Sequence, residues 1–88
     1  MANLRAQIDA FDDQIIALLA QRYALLAQVV KVKAANGIAH NVQARVIEVL
    51  ERTQKIGVAQ GLPPQFMHQL YTLVIDTAHE YESQFLKD

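Results

Sequence analysis

Apolar residues recur every three or four positions along most of the chain, which is the spacing of an amphipathic helix. The first series predicts a helix from a cap at Asn3 to about Ala35, ended by Asn36 and Gly37, because glycine suits the left-handed position beyond a helix end. Its apolar stripe consists of Leu4, Ile8, Phe11, Ile15, Leu18, Leu25, Val29 and Val32. No segment shows the strict alternation of a half-buried strand, so we predict an all-α fold.

Two shorter helices are predicted after the first. One would run from near Asn41 to before Gly61, and its inner face would hold Val42, Val46, Val49, Leu50, Thr53 and Ile56. Pro63 and Pro64 favour the opening of a third helix, since proline is tolerated in a first turn. The stripe of that helix is Phe66, Leu70, Leu73, Val74, Thr77, Tyr81 and Phe85. The chain therefore reads as a single three-helix domain over residues 1–88.

The length of the first helix predicts a partner chain. At 1.5 Å per residue the helix would be about 50 Å long, whereas a compact domain of this size has a radius of gyration of only about 12 Å. The remaining residues of one chain cannot cover such a rod. We therefore expect a second copy of the chain to cover the exposed stripe, in a homodimeric helical bundle with two-fold symmetry.

Composition narrows the possible functions. The chain has 88 residues, 52% of them apolar, and a formal net charge of −1, which does not favour a nucleic-acid or anionic-membrane partner. It has no cysteine, which excludes disulfides, thiol catalysis and thiolate metal sites. Every uninterrupted apolar run is far shorter than the roughly 18 residues of a membrane span. The N-terminus, MANLRAQIDAF, lacks the features of a secretory signal, so we expect a cytoplasmic location.

Arg22 stands in the first helix where the apolar stripe would otherwise continue. A charge on a buried stripe must be paired or must meet a ligand, because leaving it alone costs several kcal/mol. Glu82 is the obvious pairing partner, since it follows Val74 and Ala78 at steps of four on the third helix. A salt bridge to Glu82 and a bound anion are both consistent with the pattern.

Two further cations accompany Arg22. Lys33 follows it by eleven residues, almost three helical turns, so the two share one face at roughly 16 Å axial separation. Arg45 lies early in the second helix, beside Val42 and Val46. Cations that border an apolar face in this way fit an anion of small-molecule size, and we expect them to face an enclosed pocket without being neutralised by the protein's own acids.

Other chemistry is poorly supported by the sequence. His40, His68 and His79 lack the spacing of metal ligands, and we predict that they are surface or loop residues. Tyr71 and Tyr81 are predicted to belong to the core or its rim. No glycine-rich phosphate loop, nucleophile elbow or paired-carboxylate motif occurs, so we expect neither a metal nor a cofactor.

Three segments together resemble the all-helical chorismate mutase family: LRAQIDAFDDQIIALLAQRYALLAQVVKVK, then Arg45 twelve residues after Lys33, then GLPP before LYTLVIDTAHEYE. The resemblance covers about residues 4 to 86, and its most specific part is the spacing of Arg5, Arg22, Lys33 and Arg45. Members of that family are intertwined dimers that convert chorismate, a dicarboxylate, to prephenate by a pericyclic Claisen rearrangement without a cofactor.

The resemblance also implies roles for individual residues. Arg22 and Arg5 would hold substrate carboxylates, Arg45 would help to orient the substrate, and Lys33 would donate to the ether oxygen and a carboxylate. Arg5 lies about 25 Å along the helix from Arg22 and about 100° around it, so it cannot reach the same ligand within its own chain. It would have to enter the site of the partner chain.

The chain departs from the family pattern at several of these positions. Bacterial members commonly carry, at the position of Glu82, a glutamine that donates to the ether oxygen. Glu82 would have to be protonated to do so, which predicts activity favoured at mildly acidic pH. Val42 and Val46 stand where typical mutases place acids that hold the ring hydroxyl, and Ala78 stands where a small polar residue often occurs.

The departures leave alternatives to a chorismate mutase open. Isochorismate pyruvate lyases, which form salicylate and pyruvate, share the fold and the cationic site, and they tend to be apolar beside the second-helix arginine. A mutase acting on 4-amino-4-deoxychorismate is a third enzyme. A non-catalytic helical dimerisation module is the alternative from another class. Chorismate mutase remains the leading prediction.

Overall fold

The computed structural model describes residues 1–36 and 43–86, and nearly all of them lie in three helices. The helices are α1, Ala2–Asn36; α2, Gln43–Ala59; and α3, Pro64–Leu86. The all-α prediction and the order of one long and two shorter helices are thereby confirmed. The predictions for Gly37, His40, Asn41 and Val42, and for the side chain of Phe85, fall outside what the structure describes.

A glycine ends α2 and turns the chain back on itself. Gly61 has a φ of 91°, a conformation that is inexpensive only for glycine. The N–H of Leu62 donates to the carbonyl of Gly57 at 2.9 Å, and the N–H of Gly61 donates to that of Val58 at 3.0 Å. These two bonds are the Schellman pair that closes a helix C-terminus. Pro64 then begins α3 at once, so that α3 packs against α2.

α3 is the central element of the chain. It contacts both other helices, whereas α1 and α2 do not contact each other within the described residues. The buried apolar residues come from all three helices: Val30, Val49, Met67, Ile75 and Ala78. Gly57 allows α2 and α3 to approach closely, since a Cβ atom built there would lie 2.6 Å from the Sδ of Met67 and 2.8 Å from its Cε. This close packing fixes the distance between α2 and α3, and both helices contribute side chains to the candidate site.

The predicted stripe of α3 is largely not the face that packs inside the chain. Three of its large residues are exposed: Phe66, Leu70 and Leu73. The buried positions of α3 are Met67, Ile75, Ala78 and Glu82, on a row about 130° around the helix. α3 thus has two apolar rows. Periodicity alone does not show which of them packs against α1 and α2. Val74, Thr77 and Tyr81 are partly buried.

The inner face of α2 was predicted more accurately. Val49 and Thr53 are buried and Val46 and Leu50 are partly buried, as predicted, but Ile56 is exposed. Ile56 is exposed because the neighbouring Gly57 faces Met67. Consecutive helical residues lie about 100° apart, so Ile56 points away from that contact.

α1 leaves its apolar stripe uncovered. Residues 1–21 are all exposed, and every member of the predicted stripe from Leu4 to Val32 is exposed as well. The chain measures 52 × 23 × 15 Å with a radius of gyration of 15.8 Å, against about 12 Å for a compact domain of this length. The predicted rod is therefore confirmed. This exposed apolar face is the one for which the sequence predicts a partner chain, and that partner stays a prediction.

By length and composition alone, α1 also satisfies a criterion for a membrane-crossing helix. A window of 18 residues within Ala2–Ala35 has a mean hydropathy of 1.5, although no uninterrupted apolar run is that long, and 6% of the window is buried. A single such helix near the N-terminus is weak evidence, because core helices and signal sequences pass the same criterion. The subunit-mixing experiment under Proposed function tests whether a second chain or lipid covers the apolar face of α1.

The packing at Gly57 generates a stability prediction. In an ordinary helix interior, Gly→Ala stabilises by about 1 kcal/mol, but here the new methyl group would displace the buried Met67 side chain, at a cost of about 1–3 kcal/mol. We expect Gly57→Ala to lower the free energy of unfolding by about 1 kcal/mol, measured by urea denaturation. In a Met67→Ala background the same substitution should instead stabilise. Stabilisation in both backgrounds would contradict the close contact.

Candidate active site

A cavity of about 330 Å³ lies between the three helices and is lined by residues of each. Its volume is within the range of roughly 300–1,000 Å³ that is usual for small-molecule sites. Its charged lining residues are Arg22, Lys33, Arg45 and Glu82. Its apolar lining residues are Leu26, Val29, Val46, Val49, Ile75 and Ala78, and His79 completes the described lining. The cavity therefore combines clustered charge with greasy walls.

Helical spacing explains why these side chains converge. α1 supplies Arg22, Leu26, Val29 and Lys33, at steps of four, three and four that keep to one face of the helix. α3 supplies Ile75, Ala78, His79 and Glu82 by the same spacing. All of the predicted site residues within the described part of the chain line the cavity, with the exception of Arg5. Val42 lies outside the described residues, and Arg5 lies on the exposed first turns of α1.

Lys33 and Glu82 form an ion pair at the edge of the cavity. The Nζ of Lys33 donates to Oε1 of Glu82 at 2.9 Å, and the two side chains are only 19% and 6% exposed. Such charge-assisted hydrogen bonds are among the stronger ones in proteins. The pair joins the C-terminal part of α1 to α3 and fixes the position of the ammonium group. An ammonium has three N–H donors, so its bond to Glu82 does not by itself exclude a bond to a ligand.

Arg22 lacks the salt bridge that the sequence offered as one explanation for it. Its Nη1 atom is buried without a hydrogen-bond partner among the described residues, and Glu82 pairs with Lys33. Leaving a buried polar group unsatisfied costs about 1–3 kcal/mol, and more when the group is charged. The other explanation from the sequence, an anionic ligand, stays a prediction.

Arg45 is the most exposed of the three cations. Its Nη1 donates to Oε1 of Glu48 at 2.7 Å, and the Arg45 side chain is 61% exposed. The expectation that the cations have no acidic partner of their own therefore holds for Arg22 and not for Lys33 or Arg45. Exposed pairs of this kind contribute at most about 1 kcal/mol, so Arg45 can exchange Glu48 for a ligand at little cost.

The lining of the cavity is nevertheless positively charged. Among the described lining residues, three cations and one carboxylate, Glu82, leave a net charge of +2 when His79 is counted as neutral. Apolar walls on the other sides lower the local dielectric constant and so strengthen the attraction for a negative ligand. The site is suited to a compact dianion with an apolar body.

His79 is the lining residue that sequence reasoning missed. It was predicted to be a surface or loop residue, but it is half-buried in the wall that α3 contributes. Its spacing was informative, since it lies four residues after Ile75 and three before Glu82. Tyr23 was also not predicted; its ring packs edge-to-face on that of Tyr81, with centroids 5.4 Å apart, and holds α1 against α3 beside Glu82.

Comparison with known proteins identifies the family. The family model for chorismate mutase type II matches residues 4–83, nearly the whole chain. The chain belongs to the chorismate mutase type II family. It is also 32% identical over 83 residues to the T-protein of Enterobacter agglomerans. That alignment covers 94% of this chain but 22% of the T-protein, so the chain spans about a fifth of its relative's length. The search of solved structures found no significant match.

The family assignment confirms the resemblance seen in the sequence.

The buried Nη1 of Arg22 generates a stability prediction. We expect Arg22→Leu to raise the free energy of unfolding by about 1 kcal/mol, because it removes a buried donor that has no protein partner. Thermal and urea denaturation measure this. Arg52→Leu, on the exposed face of α2, serves as the control and should change stability by less than about 0.5 kcal/mol. A clear loss of stability in Arg22→Leu would show that Arg22 supports the fold instead.

Proposed function

We propose that this protein is a chorismate mutase, which converts chorismate to prephenate. The observation that carries the proposal is the buried, unpartnered Nη1 of Arg22 in a cavity of net positive charge, in a chain of the chorismate mutase type II family. Chorismate has two carboxylates on a compact, largely apolar frame. Charge, volume and wall chemistry therefore all suit it.

Binding would restrict the flexible enolpyruvyl arm of the substrate. The planar fork of Arg22 is able to grip one carboxylate with two parallel hydrogen bonds. Arg45, after release of Glu48, would help to orient the substrate from α2. Holding the arm over the ring converts a rare conformer into the bound one, and orientation of this kind contributes several kcal/mol to catalysis.

Electrostatic stabilisation would supply the second part of catalysis. In the rearrangement the ether C–O bond breaks while a C–C bond forms between the arm and the ring, and no atom is gained or lost. Negative charge develops on the ether oxygen as its bond breaks. A donor already fixed in place stabilises that charge specifically in the transition state. Lys33, positioned by Glu82, is the donor that we assign to this role.

The site would be completed by a second copy of the chain. The exposed apolar stripe of α1 needs cover, and a two-fold partner running along it would bury the face on both chains at once. Arg5 is too far from Arg22 to reach the ligand of its own chain, at about 25 Å along the helix. We therefore assign Arg5 to the partner's site, where it would hold a carboxylate.

Isochorismate pyruvate lyase is the second candidate, and a specific observation favours it. Val46 and Ala78 line the cavity and offer no hydrogen bond to a ring hydroxyl. The decisive experiment adds the protein to chorismate and to isochorismate side by side. Loss of chorismate absorbance with formation of prephenate is the expected result. Salicylate fluorescence from isochorismate would establish the lyase, and no reaction with either substrate would favour a non-catalytic module.

Lys33→Ala tests the assignment of the ether-oxygen donor. We expect kcat to fall by at least about a hundredfold, because one transition-state donor is worth roughly 3–4 kcal/mol, while the dimer remains intact. Lys31→Ala is the matched control, since Lys31 is exposed on the same turn of α1 and lies outside the cavity. Turnover of Lys33→Ala within tenfold of wild type would overturn the role.

Glu82 generates a prediction about pH. Its Oε1 accepts a hydrogen bond from Lys33, and only a protonated Glu82 carboxyl could also donate to the ether oxygen. If the Glu82 carboxyl donates to the ether oxygen, the wild-type rate increases as the pH is lowered, and Glu82→Gln removes that dependence because an amide donates at any pH. Rate profiles of the two proteins measure this. Identical profiles would refute a donor role for Glu82.

Mixing two inactive variants tests the shared site. Arg5→Ala and Lys33→Ala should each be nearly inactive, yet their heterodimer contains one intact site, formed by Lys33 of one chain and Arg5 of the other. Exchange of subunits in an equal mixture should restore about a quarter of wild-type activity, because half of the dimers are mixed and each has one intact site. No restoration, or a monomer or lipid-bound form in light scattering, would contradict the shared dimeric site.

A further inference from the structure

His79 lines the proposed substrate cavity, and the mechanism above gives it no role. It is half-buried on α3, one residue after Ala78 and three before Glu82. Its side chain has no hydrogen-bond or ion-pair partner among the described residues. An imidazole in that position has both ring nitrogens available to a ligand.

The polar groups of the proposed substrate show what His79 would meet. Two carboxylates are matched by the cations of the site, which leaves the hydroxyl group on the ring. Val46 and Val49 of α2 and Ala78 of α3 offer only methyl groups to the cavity. A hydroxyl buried against them would lose its hydrogen bonds to water without replacement, which is unfavourable. Apart from the charged residues, His79 is the only described lining side chain that can form such a bond.

We propose, on the basis of the function proposed above, that His79 is a substrate-binding residue that hydrogen-bonds the polar substituent of the substrate ring. Imidazole nitrogens accept a hydrogen bond from a hydroxyl or an amino group, and an imidazole N–H donates to a hydroxyl oxygen. His79 therefore sets a preference for a ring that carries such a substituent. The contact comes from α3, and the apolar surface of α2 is left to pack against the carbon frame.

Calorimetry with a pair of non-reacting ligands tests the proposal. One ligand is an oxabicyclic dicarboxylate that mimics the transition state and retains the ring hydroxyl, and the other has hydrogen in its place. We expect the wild-type protein to bind the hydroxylated ligand about tenfold more tightly. His79→Leu should abolish that preference while still binding both ligands, and His79→Gln, which keeps a donor and an acceptor, should retain most of it.

His68→Leu is the matched control. His68 lies on α3 as well but is exposed and outside the cavity, so this substitution should leave both affinities unchanged. A preference that persists in His79→Leu overturns the proposal. Equal weakening of both ligands overturns it too, because His79 would then contact a carboxylate or support the shape of the cavity.

Turnover of chorismate by the wild-type protein separates the two proposals. If the wild-type protein consumes chorismate and His79→Leu keeps the preference for the hydroxylated ligand, the role of His79 is refuted. The proposed function then stands. Wild-type protein that shows the preference and its loss in His79→Leu, but does not consume chorismate, supports the contact and refutes the mutase. Failure to bind either ligand refutes both.

Discussion

Nη1 of Arg22 is a guanidinium nitrogen buried without a partner among the described residues, and the proposed anion site is built around it. Folding places Nη1 of Arg22 in a cavity wall without an acceptor among residues 1–36 and 43–86, although the carboxylate of Glu82 lines the same cavity. Glu82 accepts from Lys33, and no described side chain compensates the buried Nη1 of Arg22. Proteins tolerate such unfavourable groups mainly where function requires them. An anionic ligand would supply the missing acceptor.

The ion pair of Lys33 and Glu82 has a complementary effect. It holds a long, flexible lysine side chain in one place, so that its ammonium need not be ordered when a ligand arrives. It also lowers the net charge of the cavity lining from what three cations alone would give. The remaining charge of +2 matches a dianion. Before binding, Nη1 of Arg22 has no hydrogen-bond partner among the described residues, whereas the ammonium of Lys33 is already held in position by Glu82.

Sequence reasoning predicted the helices and most of the charged lining of the cavity because both depend on local spacing. Arg22, Lys33, Arg45 and Glu82 were identified from helical periodicity and the family resemblance, and they do line one cavity. The inward row of α3 was not predicted, since two apolar rows compete on that helix and only tertiary contacts decide between them. Glu82 was named from the sequence as the obvious partner of Arg22, whereas it pairs with Lys33, since helical spacing places a side chain on a face and does not select its partner. His79 was missed because histidines were assessed as metal ligands and not as members of a cavity face.

We expect the cavity to bind a dianion through two separate carboxylate contacts. Calorimetric titration of the protein with a non-reacting oxabicyclic dicarboxylate, and with each of its two monomethyl esters, tests this claim most directly. We predict one ligand per chain and a loss of at least about tenfold in affinity for either ester, since each ester removes one charged hydrogen-bond acceptor. Equal affinity for the diacid and both esters, or no binding at all, would contradict the account.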